Sequence, residues 1–136
     1  MIYLDSSVLI ELYLERGRWR EAREILDRSE GKVSSFLLMV EVPVVLRRAL
    51  RGSENAAEPS RHLERFDSDL EDISLVDSLA DVALRVRSDR RFARCRALDA
   101  VHACTALLLR EWTGQAVRLE TFDQRLAELA RELDLR

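Results

Sequence analysis

The chain has 136 residues, enough for one domain spanning 1–136 that buries a core without disulfides or a structural metal. Hydrophobic residues make up 47% and charged residues 35%, with a net charge of −3, which excludes a disordered chain and a strongly basic one. Two cysteines lacking metal-ligand or redox spacing, no secretory signal and no apolar run long enough for a bilayer lead us to expect a cytoplasmic protein with reduced thiols and no membrane partner.

MIYL is a short apolar run rich in β-favouring side chains and predicts a buried first strand. SVLIELYLERG predicts a helix ending near Gly17. WREAREILDRSEG predicts a second, with Trp19, Ala22, Ile25 and Leu26 on one face and Gly31 as its stop. KVSS reads as a second strand. FLLMVEVPVVLRRAL reads as a helix by its length and its basic end, with Pro43 costing one interior hydrogen bond and kinking it. RGSENAAEPS is a loop by composition. A helix around RHLERFDSDL and a strand near DISLV follow. DSLADVALRVRSD predicts a helix with Leu79, Val82, Ala83 and Val86 inward. ALDAVHACTALLLREW is nearly free of charge through its middle and predicts a deeply packed helix. QAVRLETF reads as a strand, and DQRLAELARELD as a last helix with Leu126, Leu129, Ala130 and Leu133 as its stripe.

Strands alternating with helices predict an α/β fold, a three-layer α/β/α sandwich around a mostly parallel sheet, with chemistry at the carboxyl ends of the strands. Four acids stand out there. Asp5 ends the first strand, Glu41 follows KVSS, Asp99 opens the apolar helix, and Asp123 stands where LETF turns into the last helix. Carboxylates held together raise one another's pKa unless a cation neutralises them. Oxygen-only ligands suit Mg²⁺ or Mn²⁺, which activate water and stabilise charge on an attacked phosphate. Structural readings stand beside this one. Asp5 can cap a helix. Thr121 and Gln124 fit a capping box with Asp123 in the first turn. Glu41, a carboxylate among Leu38, Met39, Val40 and Val42, can pair with Arg47 or Arg48. His102, one turn after Asp99, is expected to be packed or hydrogen-bonded rather than a general base. Trp19 and Trp112 are expected in the core or an interface.

DSSVLIE, SSFLLMVEV, LDAVHACTAL and TFDQRLAELA, taken in order, resemble the acidic motifs of PIN-domain ribonucleases, and among them the VapC toxins of toxin–antitoxin pairs. The resemblance runs from the first residues to the last helix. It implies a PIN-like α/β/α fold and a Mg²⁺-dependent endoribonuclease, usually a homodimer, that a cognate antitoxin inhibits by covering the site. It places the catalytic, metal-binding acids at Asp5, Glu41, Asp99 and Asp123, with Ser6 and Thr121 as supporting hydroxyls. The sequence departs from the family pattern at Pro43 and at Leu38, where many relatives carry a hydroxyl, and the final edge strand is expected to be short or absent.

Lys32 is the only lysine; all other cations are arginine. Base composition explains such a preference, and phosphate recognition is the alternative, since guanidinium grips phosphate bidentately. Arg85, Arg87, Arg90, Arg91, Arg94 and Arg96 form a basic stretch that is either a solvated face or an RNA track. Two other functions remain to be weighed. A catalytically silent PIN domain would bind RNA or protein without turnover. A receiver-type phosphoacceptor domain would want an acid beside Asp5 and a lysine near the last strand, and neither is present.

Overall fold

The computed structural model describes residues 1–51 and 58–136, for 58 and 59 the backbone alone. The elements run β1 (Ile2–Leu4), α1 (Ser6–Tyr13), α2 (Trp19–Leu26), β2 (Lys32–Ser35), α3 (Leu38–Ala49), α4 (Glu58–Leu70), β3 (Ile73–Val76), α5 (Leu79–Ser88), a 3₁₀ turn (Arg90–Arg94), α6 (Ala97–Thr113), β4 (Arg118–Glu120) and α7 (Gln124–Glu132). The strands pair in the order β3-β2-β1-β4, every pair parallel.

β1 is buried on both faces, so its side chains divide between two cores. Ile2 and Leu4 pack with α1, α2, α3, Phe66 of α4 and Ile73. Tyr3 points the opposite way and packs with Val82, Phe92, α6 and α7. This alternation follows from the period of two along a strand, and it produces the expected three layers. α6 is buried almost continuously from Ala100 to Leu109, as its lack of charge requires. Gly114 ends it in the left-handed conformation (φ +66°), which glycine adopts without strain.

Several boundaries differ from those expected. α1 ends at Tyr13, because Glu15 rather than Gly17 turns left-handed (φ +46°). α2 ends at Leu26, its last apolar residue, since nothing between there and Gly31 has a core to enter. α3 runs unbroken through Pro43; the carbonyl that a residue-43 amide would have bonded belongs to Met39, an exposed residue. Of the expected RGSENAAEPS loop, residues 52–57 lie outside the described residues, and 58–60 are the first turn of α4. In α5 the inward stripe is Val82 and Val86; Leu79 is 58% exposed and Ala83 also faces out, because α5 packs chiefly against α6 and the 3₁₀ turn. β4 is short. Beside it the chain end adds one ladder bond, the Leu119 amide to the Leu135 carbonyl at 3.0 Å, after Asp134 breaks α7 with φ +57°. Among the described residues no helix is long and apolar enough to cross a membrane.

The chain builds β2 and β3 on one side of β1 and β4 on the other. The chain order therefore reverses between β1 and β4, the switch point at whose carboxyl ends open α/β sheets form their ligand crevice.

Candidate active site

Asp5 leaves β1 at this crevice and is 5% exposed. It caps α1: its Oδ2 accepts from the Ser7 amide at 3.2 Å and from the Ser7 hydroxyl. The same oxygen accepts from Thr121 Oγ1 at 2.8 Å across the β1–β4 boundary. The Ser7 hydroxyl also receives the Phe122 amide at 2.9 Å, and Thr121 Oγ1 receives the Asp123 amide at 3.0 Å. Two hydroxyls thus tie the strand 1 acid to the loop after β4. With Oδ2 committed to this network, Asp5 faces the site through Oδ1.

Oδ1 lies 3.6 Å from His102 Nε2, and Nε2 lies 2.8 Å from Glu41 Oε2. Asp5, Glu41 and His102 each offer a ligand atom, all within 4.8 Å of one another. Glu41 reaches this point from the first turn of α3, on one side of the sheet, and His102 from α6 on the other. Burial by itself raises the Glu41 carboxyl, but hydrogen bonds from His102 and Ser6 and the imidazole's charge outweigh it and hold the group below its ordinary range. Burial likewise lowers His102, yet the bond to Glu41 and the charges of Asp5, Glu41 and Asp99 leave it raised. Arg47 and Arg48 stay exposed in the last turn of α3, so the partner of Glu41 is His102 and not either arginine.

Asp99, in the first turn of α6, stands outside that tight group but shares its field. Burial and the charges of Asp123 and Asp5 raise its carboxyl, and the backbone and guanidinium of Arg96 offset this only in part. Its Oδ2 is buried and, among the described residues, without a hydrogen-bond partner. A buried carboxylate oxygen with no hydrogen-bond donor, in the field of two further acids, is suited to a cation. Asp123 is the N-cap of α7 itself; its Oδ1 accepts from the amides of Arg125 (2.8 Å) and Leu126 (3.2 Å). The expected capping box from Thr121 to Gln124 is therefore not formed: Thr121 turns its hydroxyl to Asp5 instead. The group that the fold brings together, two carboxylates and one imidazole, offers donors that Mg²⁺ or Mn²⁺ accepts and no thiolate for a softer ion.

The basic stretch divides. Arg85 pairs with Glu111 on α6 and Arg91 with Asp89. Arg91, Arg94 and Arg96 line, with Arg125, a groove of about 330 Å³ that also contains Asp99, Glu128 and Glu132. Arg87 and Arg90 are exposed outside that lining. Cys104 is buried, Cys95 half-buried, Trp19 half-buried and Trp112 53% exposed. His102 is buried and hydrogen-bonded, as expected, and its i, i+3 spacing from Asp99 sets both on one helix face. Tyr3, which bonds His102 Nδ1 at 2.9 Å, gave no signal beyond an apolar strand.

Residues 2–132 match the family model of the PIN domain. Ribonuclease VapC46 of Mycobacterium tuberculosis (strain ATCC 25618 / H37Rv) is similar to this chain, with 30% identity over 138 aligned positions that cover 98% of the chain and 93% of that protein. With Asp5 and Glu41 brought together at the carboxyl edge of a parallel sheet and a match reaching from the first strand to the last helix, the chain belongs to the PIN domain family.

Proposed function

We propose that the protein is a Mg²⁺-dependent endoribonuclease, active also with Mn²⁺, that hydrolyses RNA phosphodiesters as the cytoplasmic toxin of a toxin–antitoxin pair. The observation that carries this reading is the acidic crevice: Asp5 and Glu41 converge there, and the Asp99 Oδ2, on the same face of α6 as His102, is buried and, among the described residues, unpartnered. The similarity to a VapC ribonuclease over nearly all of both chains supports it. Asp5 and Asp99 are the principal cation ligands, and Glu41 and Asp123 complete the acidic set. When bound, the cation supplies Lewis acidity towards water and charge neutralisation towards phosphate. Thr121 and Ser7 lock Asp5, so that its free oxygen is presented without a conformational search. Ser6 and His102 do the same for Glu41.

RNA lies along the groove of Arg94, Arg96 and Arg125, whose guanidinium groups hold backbone phosphates next to Asp99, while the Arg91 guanidinium on the same groove is held by Asp89. Arg85 is diverted to Glu111, and Arg87 and Arg90 serve only the outer approach. Replacing Arg94 and Arg96 by alanine is expected to weaken RNA binding and to reduce the slope of log affinity against log salt by about 0.7 for each lost contact. Fluorescence anisotropy between 50 and 200 mM KCl measures both. A slope equal to wild type removes these residues from the interface.

A cognate antitoxin covers this crevice, and a second copy of the chain covers the apolar cleft that Phe36, Leu79 and Val101 line. Phe36 and Leu79 are each more than half exposed in the single chain. Light scattering is expected to give twice the chain mass for wild type and the single-chain mass for Phe36→Glu.

The deciding experiment is cleavage of a labelled RNA pool with Mg²⁺ or Mn²⁺. Activity is expected to vanish in EDTA and to fall by more than about 100-fold in Asp5→Asn, beyond the 10–100-fold loss usual for outer partners of a metal site. Undiminished cleavage in either case refutes the assignment. RNA binding without cleavage under any metal leaves the silent PIN reading in its place.

A further inference from the structure

The Tyr3 hydroxyl stands between two groups. Among the described residues it meets the Ser35 amide at 3.0 Å and His102 Nδ1 at 2.9 Å in hydrogen-bond geometry. An amide can only donate, so the Ser35 N–H occupies an acceptor position on the phenol oxygen. The phenol has one proton to give, and Nδ1 is the acceptor that faces it. An imidazole that accepts at Nδ1 carries its own proton on Nε2. Nε2 in turn points at Glu41 Oε2, 2.8 Å away, and a carboxylate can only accept. For the neutral ring these groups have compatible roles in one direction alone: Ser35 N–H to Tyr3, Tyr3 O–H to Nδ1, Nε2–H to Glu41; a protonated ring keeps the same Nε2–H bond to Glu41. In the opposite neutral tautomer the phenol oxygen would receive two donors, its proton would lose the Nδ1 acceptor, and Nε2 would face a carboxylate lone pair to lone pair.

From this we infer that His102 is a positioning residue for Glu41 and not a cation ligand, its Nε2–H tautomer being set by Tyr3 from within the core. Distance alone leaves this open, since Nε2 lies close enough to Asp5 and Glu41 to join them around an ion. A ligating Nε2 would have to be bare, with the proton on Nδ1. The Tyr3–Ser35 pair argues against that arrangement. The string also links β1, the end of β2, α6 and α3. The strand that carries Asp5 therefore also orients the imidazole that holds Glu41. Burial makes the string stiff: Tyr3 is fully buried and His102 is 2% exposed.

The inference rests on the nuclease reading for its purpose but is tested without cleavage. In the full-length protein with ¹⁵N-labelled imidazole, long-range ¹H–¹⁵N correlation at pH 9 reads which ring nitrogen bears the proton. We expect Nε2–H with bare Nδ1 in EDTA, unchanged at saturating Mg²⁺. Any proton on Nδ1, or loss of the Nε2 proton when Mg²⁺ is added, overturns it. Binding of Mn²⁺ alone, followed by electron paramagnetic resonance, gives a second reading. His102→Gln keeps an amide donor towards Glu41 and is expected to bind within about threefold of wild type, whereas His102→Leu loses about 10–100-fold. Equal losses in the two variants would mark the imidazole as a ligand. Tyr3→Phe, checked for folding by circular dichroism, is expected to lose the single-tautomer pattern; keeping it counts against the role of Tyr3. If the tautomer is as stated but no RNA is cleaved, the nuclease reading fails and the inference stands.

Discussion

Asp99→Asn is expected to reduce RNA cleavage by more than 100-fold and, in EDTA, to raise the melting temperature by about 2–6 °C, a shift typical of relieving strain at a functional site. The cause is the crevice's own field. Burial and the charges of Asp123 and Asp5 raise the Asp99 carboxyl above its ordinary value. The folded chain therefore holds that proton more tightly than the unfolded chain does. Below the ordinary carboxylate range both states are protonated and no penalty arises. As pH rises through the raised value the folded state must ionise a disfavoured group, and the full penalty is present at neutral pH. Asparagine removes it, and with it the unpartnered charge at Oδ2. The difference between variant and wild type should shrink as the pH falls into the acid range. Adding Mg²⁺ should reverse the order, because the wild type gains binding free energy that the variant cannot. Differential scanning fluorimetry at several pH values, with EDTA or with Mg²⁺, checks all three points. A variant less stable than wild type in EDTA, or one gaining equally from Mg²⁺, would show that Asp99 is a structural first-turn acid.

Leu107→Ala is expected to cost about 2–5 kcal/mol, a large part of the 5–15 kcal/mol available to a domain of this kind. Leu107 is 1% exposed at the middle of α6, in the cluster that includes Tyr3 of β1 and Leu126 and Leu129 of α7. Truncation leaves a void that neither the sheet nor α7 can fill without moving the elements that carry Asp5 and Asp123. Leu107 itself lies more than a turn along α6 from His102. Urea unfolding should therefore show a lower midpoint at unchanged slope, while cleavage measured well below the transition stays within about threefold of wild type. A loss under about 1 kcal/mol would mean that α6 is less central than its burial indicates.

Much of the architecture is legible without coordinates. Alternating strand and helix patterns lead to a parallel sheet with two helical layers, and the stripe of Leu126, Leu129, Ala130 and Leu133 is the buried face of α7. Pattern fails where a backbone detail or a packing limit decides. Gly17 was the natural stop for α1, yet Glu15 accepts the left-handed turn. Leu79 fits an inward stripe, but α5 packs chiefly against α6 and the 3₁₀ turn that follows it, and Leu79 is left exposed. Thr121 and Gln124 have the spacing of a capping box, but a buried carboxylate on another strand is the stronger acceptor for the Thr121 hydroxyl.

By itself, the sequence determined the kinds of group available and the points where each enters: acids at strand-to-helix turns, one nearly chargeless helix, arginine for every cation but Lys32. These depend on residues close together in the chain, where periodicity and capping preferences act. Only the tertiary structure decided which groups meet. Asp5 is held by Thr121, 116 positions away, and Glu41 by His102, 61 positions away. The arginine stretch divides between a groove beside Asp99 and a pairing with Glu111. Such contacts are set by placing β1 between β2 and β4, and that order is a property of how two cores close on one sheet, which no local pattern encodes.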